Sequence, residues 1–590
     1  MLQQIQHLHQ QGIFSDLDLH LALYLQKLAN TENDEFLLAA ALTSYFTTQG
    51  HICINLAELA NTTFPLENDT DVEPIQCPDL NHWQQTLFSH PMIGQPHEFK
   101  PLVLDNNLLY LYRYWQYEQQ LGQNILQRIE QNHLISNETA LNARLERLFP
   151  NQEDVDWQRI AAKTAVLKNF CIISGGPGTG KTTTVVKILL LLLQENPKLR
   201  IALAAPTGKA AARLQQAIQN SVLKLNFPPA LLAAIPQETY TIHRLLGTVP
   251  KSPYFRSHAQ NPLPYDVVIV DEASMVDLAL MAKLADAIPA ASRWLLLGDK
   301  DQLASVEAGS VLGDICTGLK LDTQAAIKAH IVLLEKSYRF HAKSGIGVLA
   351  THLKQGQAQQ ALQVIQQGQF MDIAWQDIAT PNRLLTQLAP VINQGFAPYL
   401  QASNPDQALD YFEQFRVLCA LRRGAYGVEN INRIIEQILI NQGQIQSGYR
   451  WYHGRPIMIT RNDYTLKLFN GDIGVILWSP EGELMAYFRY PDGEIRSLYP
   501  HRLPEHETVY AMTIHKSQGS EFDHVLMLLP NQPSPVLNRE LIYTGITRAK
   551  QTVSIWGDES VFLQAAHQTV ERQSGLMKML YDYAPPNTST

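Results

Sequence analysis

Cysteine is scarce and unpaired: Cys53, Cys77, Cys171, Cys316 and Cys419 are scattered through 590 residues with no CxxC spacing. That excludes a disulfide framework and gives no support to a structural zinc or iron–sulfur centre, leaving the role of small buried hydrophobes. A general excess of positive charge is missing too. Lys and Arg number 46 against 55 Asp and Glu, a formal net charge of −9. Any nucleic acid must therefore be held in a local groove and not by an overall basic field. The opening residues, MLQQIQHLHQQGIFSD, lack a basic region followed by an apolar core, which predicts a cytoplasmic chain. Apolar runs such as Ile188 to Leu193 fall far short of the roughly 20 residues that span a bilayer, so no membrane partner is expected. Repeats and low-complexity tracts are absent. So is the compact carboxylate cluster with a lysine that a metal-dependent nuclease needs, and no nuclease activity is expected of this chain alone.

What is present implies three or four domains, since 590 residues exceed one hydrophobic core. Residues 1–135 read as a mostly helical, partner-docking domain. Leu19, Leu21, Leu23, Leu25 and Leu28, then Phe36 to Leu42, supply apolar helical faces. Pro65 to Pro74 reads as an exposed loop, and Leu102 to Leu104 with Leu108 to Tyr112 as a hairpin around Asp105-Asn-Asn107. Residues 136–335 begin with an amphipathic helix (Leu141, Leu145, Leu148, Phe149) and continue as short apolar strands alternating with helices. The strands are Phe170–Ser174, Ile201–Ala205, Tyr265–Val270 and Trp294–Leu297. Residues 336–590 repeat the texture at Phe415–Ala420, Val509–His515, His524–Leu529 and Thr552–Trp556. Continuous apolar runs of this length indicate parallel sheets covered on both faces, hence an α/β chain with two lobes and a cleft between them. Within the second lobe, residues 448–506 change to β-rich runs broken by Asn470-Gly471, Pro480-Glu-Gly482 and Pro491-Asp-Gly493, which predicts a small inserted β-barrel. The tail from Ala584 to Thr590 is expected to fray.

Gly175-Gly-Pro-Gly-Thr-Gly-Lys-Thr182 fits GxxxxGK[ST] between an apolar strand and a helix-forming run. Backbone N–H groups of Gly175, Gly176, Pro177 (which lends only its fixed turn), Gly178, Thr179 and Gly180 would wrap phosphates at a helix N-terminus, continued by Lys181, Thr182 and Thr183. Lys181 should reach the β- and γ-phosphates of ATP, and the Thr182 hydroxyl should ligate Mg²⁺. Asp271 and Glu272, directly after the apolar run Val267 to Val270, are the expected Mg²⁺ ligand and water-activating base. A third strand ends in Gly298–Gln302, and Gln302 is placed to sense the γ-phosphate or the attacking water; alone it would read as a polar loop residue. Arg339 and Arg548 are candidates for stabilising the transferring phosphoryl group.

In order, Gly175–Thr182, Ala205-Pro-Thr-Gly-Lys209, Thr241-Ile-His-Arg244, Asp271-Glu-Ala-Ser274, Gly298–Leu303, Ser337-Tyr-Arg339, Thr513–Gly519 and Tyr543–Arg548 resemble the motifs of superfamily 1 helicases. Leu468–Gly474, Ala511–Phe522 and Leu109–Glu118 are similar to the RecD branch, the alpha subunits of RecBCD (exodeoxyribonuclease V). The resemblance implies two RecA-like lobes, a helical N-terminal domain and an SH3-like barrel in the second lobe. It implies that Gln158 reads the adenine edge, that Tyr338 stacks on the base, and that Arg339 and Arg548 reach the γ-phosphate from the second lobe. Pro206, Thr207, His243, Thr513 and His515 would line single-stranded DNA. The implied activity is ATP-dependent 5′→3′ translocation from duplex ends, beside RecB-like and RecC-like subunits, in double-strand break repair and recombination. A stand-alone RecD-like helicase and an ATP-gated scaffold are the alternatives.

Overall fold

Every residue of the strand Phe170–Gly175 is buried, because helices cover both faces of the sheet to which it belongs. In the computed structural model, which describes residues 1–65, 73–131, 138–150, 155–223, 227–340, 344–446, 448–490 and 493–583, this sheet has six strands, all parallel. Their order is Ile331–Leu334, Phe170–Gly175, Arg293–Gly298, Val267–Val270, Ile201–Ala205, Tyr240–Thr241. Alternate residues feed two separate cores. Ile172, Ala204, Val268 and Leu296 point to one, and Cys171, Leu203, Ile269 and Leu295 to the other, as the two-residue period of a strand requires. The run Ile188 to Leu193 lies in the helix Lys181–Glu195 and is wholly buried. All five cysteines are free and buried.

The second lobe holds five parallel strands in the order Ile373–Asp377, Ala549–Gly557, Phe522–Leu528, Phe415–Cys419, Ala511–Thr513. The second lobe also carries an insertion. It is a five-stranded antiparallel sheet, Ile495–Leu498, Leu484–Arg489, Ile473–Trp478, Arg455–Ile459, His506–Thr508, with its own small core around Ile457, Ile476 and Phe488. Gly471 and Gly482 take φ of +95° and +82°, conformations that need glycine at those two turns. Residues 491 and 492 of the third expected turn, most of the expected loop over residues 65–74, the boundary at 135 and the tail 584–590 lie outside the described residues.

The N-terminal region packs the helices Asp16–Ala29 and Asp34–Thr48 on a four-stranded sheet that contains the expected hairpin, Leu102–Asp105 with Leu108–Leu111. One leucine departs from expectation. In Asp16–Ala29 the buried positions are Asp18, Leu19, Ala22 and Leu25, while Leu28 is 52% exposed. Helical spacing, and not the alternation of leucines along the sequence, decides which of them face inward. Among the described residues no helix is long and apolar enough to cross a membrane.

The helix Tyr112–Ile129 leaves this region and packs against Leu278–Ala287 of the first lobe. Trp115 is buried there. The chain then returns from the second lobe to seal the same junction. Ile52 donates its N–H to Gln573 O at 2.9 Å, Arg572 bonds the carbonyls of Ser305, Glu307 and Gly309, and Leu576–Tyr581 packs on Val311–Thr317 and Tyr112–Ile129.

Two carboxyls are buried under that seal. Glu118 accepts from Tyr110 OH and Gly575 N at 2.9 Å each. Burial pushes its pKa up to about 7 against these donors. Asp314 also rises to about 7 through burial and the nearby Glu118 charge, with Ser574 and Arg572 pulling the other way. Raised folded-state values favour the protonated form, so the stability these groups give is fully present below their unfolded values near 4 and is lost as pH rises through 7. The cost of ionisation is on the order of 3 kcal/mol per group. The wild-type Tm should fall between about pH 5 and pH 7 and level off above, and Glu118→Gln should lessen that fall; parallel melting curves for the two proteins would refute the assignment.

Candidate active site

The loop between Phe170–Gly175 and the helix Lys181–Glu195 turns at Gly178 and Gly180, whose φ values are +78° and +81°. Glycine is needed there for space as well as for conformation. A Cβ on Gly178 would collide with the Arg339 stem, and one on Gly180 with the Gln158 amide. Gln158 Nε2 donates to Thr179 O at 3.0 Å, and Tyr338 N donates to Gly178 O at 2.8 Å. Both residues expected at the base therefore frame the phosphate loop, and the Tyr338 ring keeps an open face at 44% exposure. Lys181 Nζ lies over the loop, 2.5 Å from Gly175 O. Thr182 is half-buried and Thr183 exposed in the first helical turn.

Parallel strands bring the acidic residues to the same edge, where open α/β sheets bind ligands. Asp271 follows Val267–Val270, and its Oδ1 accepts the N–H of Glu272 at 2.9 Å. Burial, then the neighbouring Glu272 charge, raise the Asp271 carboxyl to about 6 against the pull of Lys181 and Arg213. Glu272 sits at φ +53°, a left-handed conformation uncommon for a residue with a side chain and one that concentrates at functional sites.

The adjoining strand Arg293–Gly298 delivers Asp299 and Gln302. Asp299 Oδ2 accepts from Gln302 Nε2 at 3.0 Å and from Tyr543 OH at 2.9 Å. Burial alone would raise its pKa, but the charges of Lys354 and Lys181 and these hydrogen bonds outweigh it and hold the carboxyl low. Arg548 reaches across from the second lobe. It donates to Gln302 Oε1 at 2.9 Å, Thr544 O at 3.1 Å and Ser520 O at 3.2 Å. Burial lowers its pKa, and the charges of Glu272 and Glu521 offset part of that effect. Arg339 pairs with Glu521 Oε2 at 2.7 Å. The structure thus gathers the phosphate loop, Gln158, Asp271, Glu272, Gln302, Tyr338, Arg339 and Arg548 in one cleft with walls from both lobes.

The residues expected along DNA follow three strand ends, two in the first lobe and one in the second. Pro206 and Thr207 follow Ile201–Ala205, and Thr207 Oγ1 caps the next helix by accepting from Ala210 N at 3.2 Å. His243 follows the neighbouring strand Tyr240–Thr241, exposed and edge-on to Phe255. Thr513 ends Ala511–Thr513 and accepts from Lys516 N at 3.2 Å. His515 lies in the turn that follows, its pKa lowered by burial and by Arg572. No hydrogen bond or ring contact joins His243 to Thr513 or His515.

Asp299, Tyr543, Arg213 and Glu521 belong to the cleft but were not singled out from the sequence. Asp299, Tyr543 and Glu521 lie inside the motif segments, and position in the third strand's loop marks Asp299. Arg213 carries no local signal. Its partner Gly519, whose carbonyl it approaches at 3.4 Å, is 306 residues away.

Comparison with known proteins agrees along the chain. The model for the RecBCD enzyme subunit RecD, N-terminal domain, matches residues 10–110. That for an AAA domain matches 158–308, and that for the UvrD-like helicase C-terminal domain matches 508–555. The protein named RecBCD enzyme subunit RecD of Haemophilus influenzae is 36% identical over 99% of this chain and 100% of its own length. That of Mycolicibacterium smegmatis is 38% identical over 96% and 98%. The ATP-dependent RecD2 DNA helicase of Deinococcus radiodurans is 33% identical over 69% of this chain and 50% of its own.

Proposed function

The chain belongs to the RecD family of RecBCD enzyme subunits, and on that footing we propose that it is an ATP-driven motor on single-stranded DNA, running 5′→3′ from duplex ends in a complex with RecB-like and RecC-like subunits. Its work would be double-strand break repair and recombination. The observation that carries the reading is the contact of Arg548 with Gln302 across the cleft at 2.9 Å. A charge supplied by one lobe to a nucleotide held by the other makes hydrolysis depend on closure, and closure is what a translocating motor must control.

In this reading residues 1–135 dock partners, 136–335 and 336–590 are the two motor lobes, and 448–506 is the insertion. Lys181 and the loop amides bind the β- and γ-phosphates, Gln158 and Tyr338 hold the base, and Glu272 takes the proton of the attacking water. Gln302 orients that water, and Arg339 and Arg548 meet the charge that develops on the phosphoryl oxygens. Thr182 and Asp271 are hard oxygen donors of the kind that hold Mg²⁺ through one or two protein ligands plus phosphates and water. A divalent cation there would draw the raised Asp271 carboxyl back to its ionised form. Such an ion would supply charge neutralisation at the phosphates. Pro206, Thr207, His243, Thr513 and His515 contact the strand through hydroxyls, imidazoles and backbone, which grip phosphates without reading sequence.

The test is ATP turnover by the purified chain with and without single-stranded DNA, beside Lys181→Gln. Strong stimulation by DNA and its loss in the variant are expected, followed by unwinding of 5′-tailed but not 3′-tailed duplex. Turnover indifferent to DNA would sink the motor reading; a Lys181→Gln chain that still supports partner activity would favour the scaffold.

A further inference from the structure

One carboxylate oxygen in the cleft carries two guanidinium groups. Glu521 Oε2 meets Arg339 Nη2 at 2.7 Å and is also paired with Arg213 Nη2. The three side chains come from three parts of the chain. Arg213 projects from the helix Gly208–Val222 of the first lobe, and Glu521 from the turn before Phe522–Leu528 of the second. Arg339 lies just after Ile331–Leu334, its stem against Gly178 of the phosphate loop. Arg213 is also within electrostatic reach of Glu272 and Asp271.

A guanidinium alone with a carboxylate closes a two-point fork with both oxygens. Here that fork is not made. Each arginine has a single contact with the same oxygen, the two cations repel one another, and Arg339 Nη1 is buried without a hydrogen-bond partner. Each cation is therefore held by one point of contact and pushed by the other.

We propose that Arg213 is a positioning residue for ATP hydrolysis: by sharing Glu521 it stops Arg339 from closing a full pair with that carboxylate, and so leaves Arg339 free to turn to the γ-phosphate. The inference rests on reading the cleft as an ATPase site. Without Arg213, Glu521 would hold Arg339 by both oxygens and withdraw it from the phosphates. Removing Glu521 as well would release it again.

The experiment is ATP turnover of the full chain with saturating oligothymidylate, for wild type, Arg213→Gln, Glu521→Gln and the double variant, each with a melting curve. Arg213→Gln should lower kcat by about tenfold or more, with nucleotide affinity within about threefold, and adding Glu521→Gln should restore most of the lost rate. A residue that merely braced the cleft would give a double variant slower than either single one. Wild-type turnover in Arg213→Gln, or a double variant no faster than Arg213→Gln, overturns the proposal. If Arg213→Gln does not melt cooperatively, Arg213→Lys decides. It keeps the shared charge and should stay within about threefold of wild type, and a loss beyond about tenfold overturns the proposal. A wild-type chain without DNA-stimulated turnover would overturn the ATPase reading and this inference together, whereas stimulated turnover with unaltered variants overturns this inference alone.

Discussion

Arg548→Lys should slow DNA-stimulated ATP turnover by about 10³- to 10⁵-fold, the range an arginine supplied to a transferring phosphoryl group contributes. Lysine keeps the positive charge, so a loss of this size would isolate the planar fork that reaches Gln302, Thr544 and Ser520 together. Three acceptors held by one buried side chain also serve the fold, and their loss should lower stability by about 1–3 kcal/mol. The two effects separate in one set of measurements. Binding of a fluorescent nucleotide should stay within a few-fold, because the phosphate loop and Gln158 are untouched, while single-turnover hydrolysis collapses. A variant within tenfold of wild type would remove Arg548 from the chemistry and reduce it to a brace between the lobes.

Glu272→Gln should lower kcat by about 10²- to 10⁴-fold, the usual contribution of a positioned general base. The amide keeps the shape and the hydrogen-bonding reach but accepts no proton. Nucleotide and DNA affinity should be nearly unchanged, so the variant would accumulate as a closed complex with ATP and the strand. The substitution also removes the neighbouring charge that, after burial, raises the Asp271 carboxyl. Slow turnover with tight nucleotide binding is the expected pair of results. Weak nucleotide binding instead would show that the Glu272 charge serves to hold the nucleotide site together and not to take the proton of the attacking water.

Much of this molecule was readable in the sequence because its chemistry is local. The phosphate loop needs contiguous residues between a strand and a helix, and Asp271-Glu272 needs only the strand before it. The central strands announce themselves as unbroken apolar runs, since both faces are covered. Edge strands do not. Ile373–Asp377 buries only Ile373 fully, so its sequence has no apolar run to find, and Cys53–Asn55 is three residues long. The leucines at 19, 21, 23 and 25 are spaced like a strand yet lie in a helix, where burial follows 18, 19, 22 and 25. The charge network was hidden for a different reason. Glu521 receives Arg213 and Arg339 from distant segments, and no spacing rule links residues that meet only after two lobes have formed.

The segment around Arg572–Gly575 that closes over the N-terminal sheet has a bearing on how the chain is made. Gln573 N donates to His51 Nδ1, a partner 522 residues earlier, and its carbonyl takes the N–H of Ile52. A ribosome delivers the N-terminal domain long before it delivers that segment, at about 5–20 residues per second. Until that segment emerges, Glu118 and Asp314 lack the partners that Ser574 and Gly575 provide in the folded chain. Closure of this segment therefore takes two carboxyls out of water, and each gains a proton as it is buried below about pH 7.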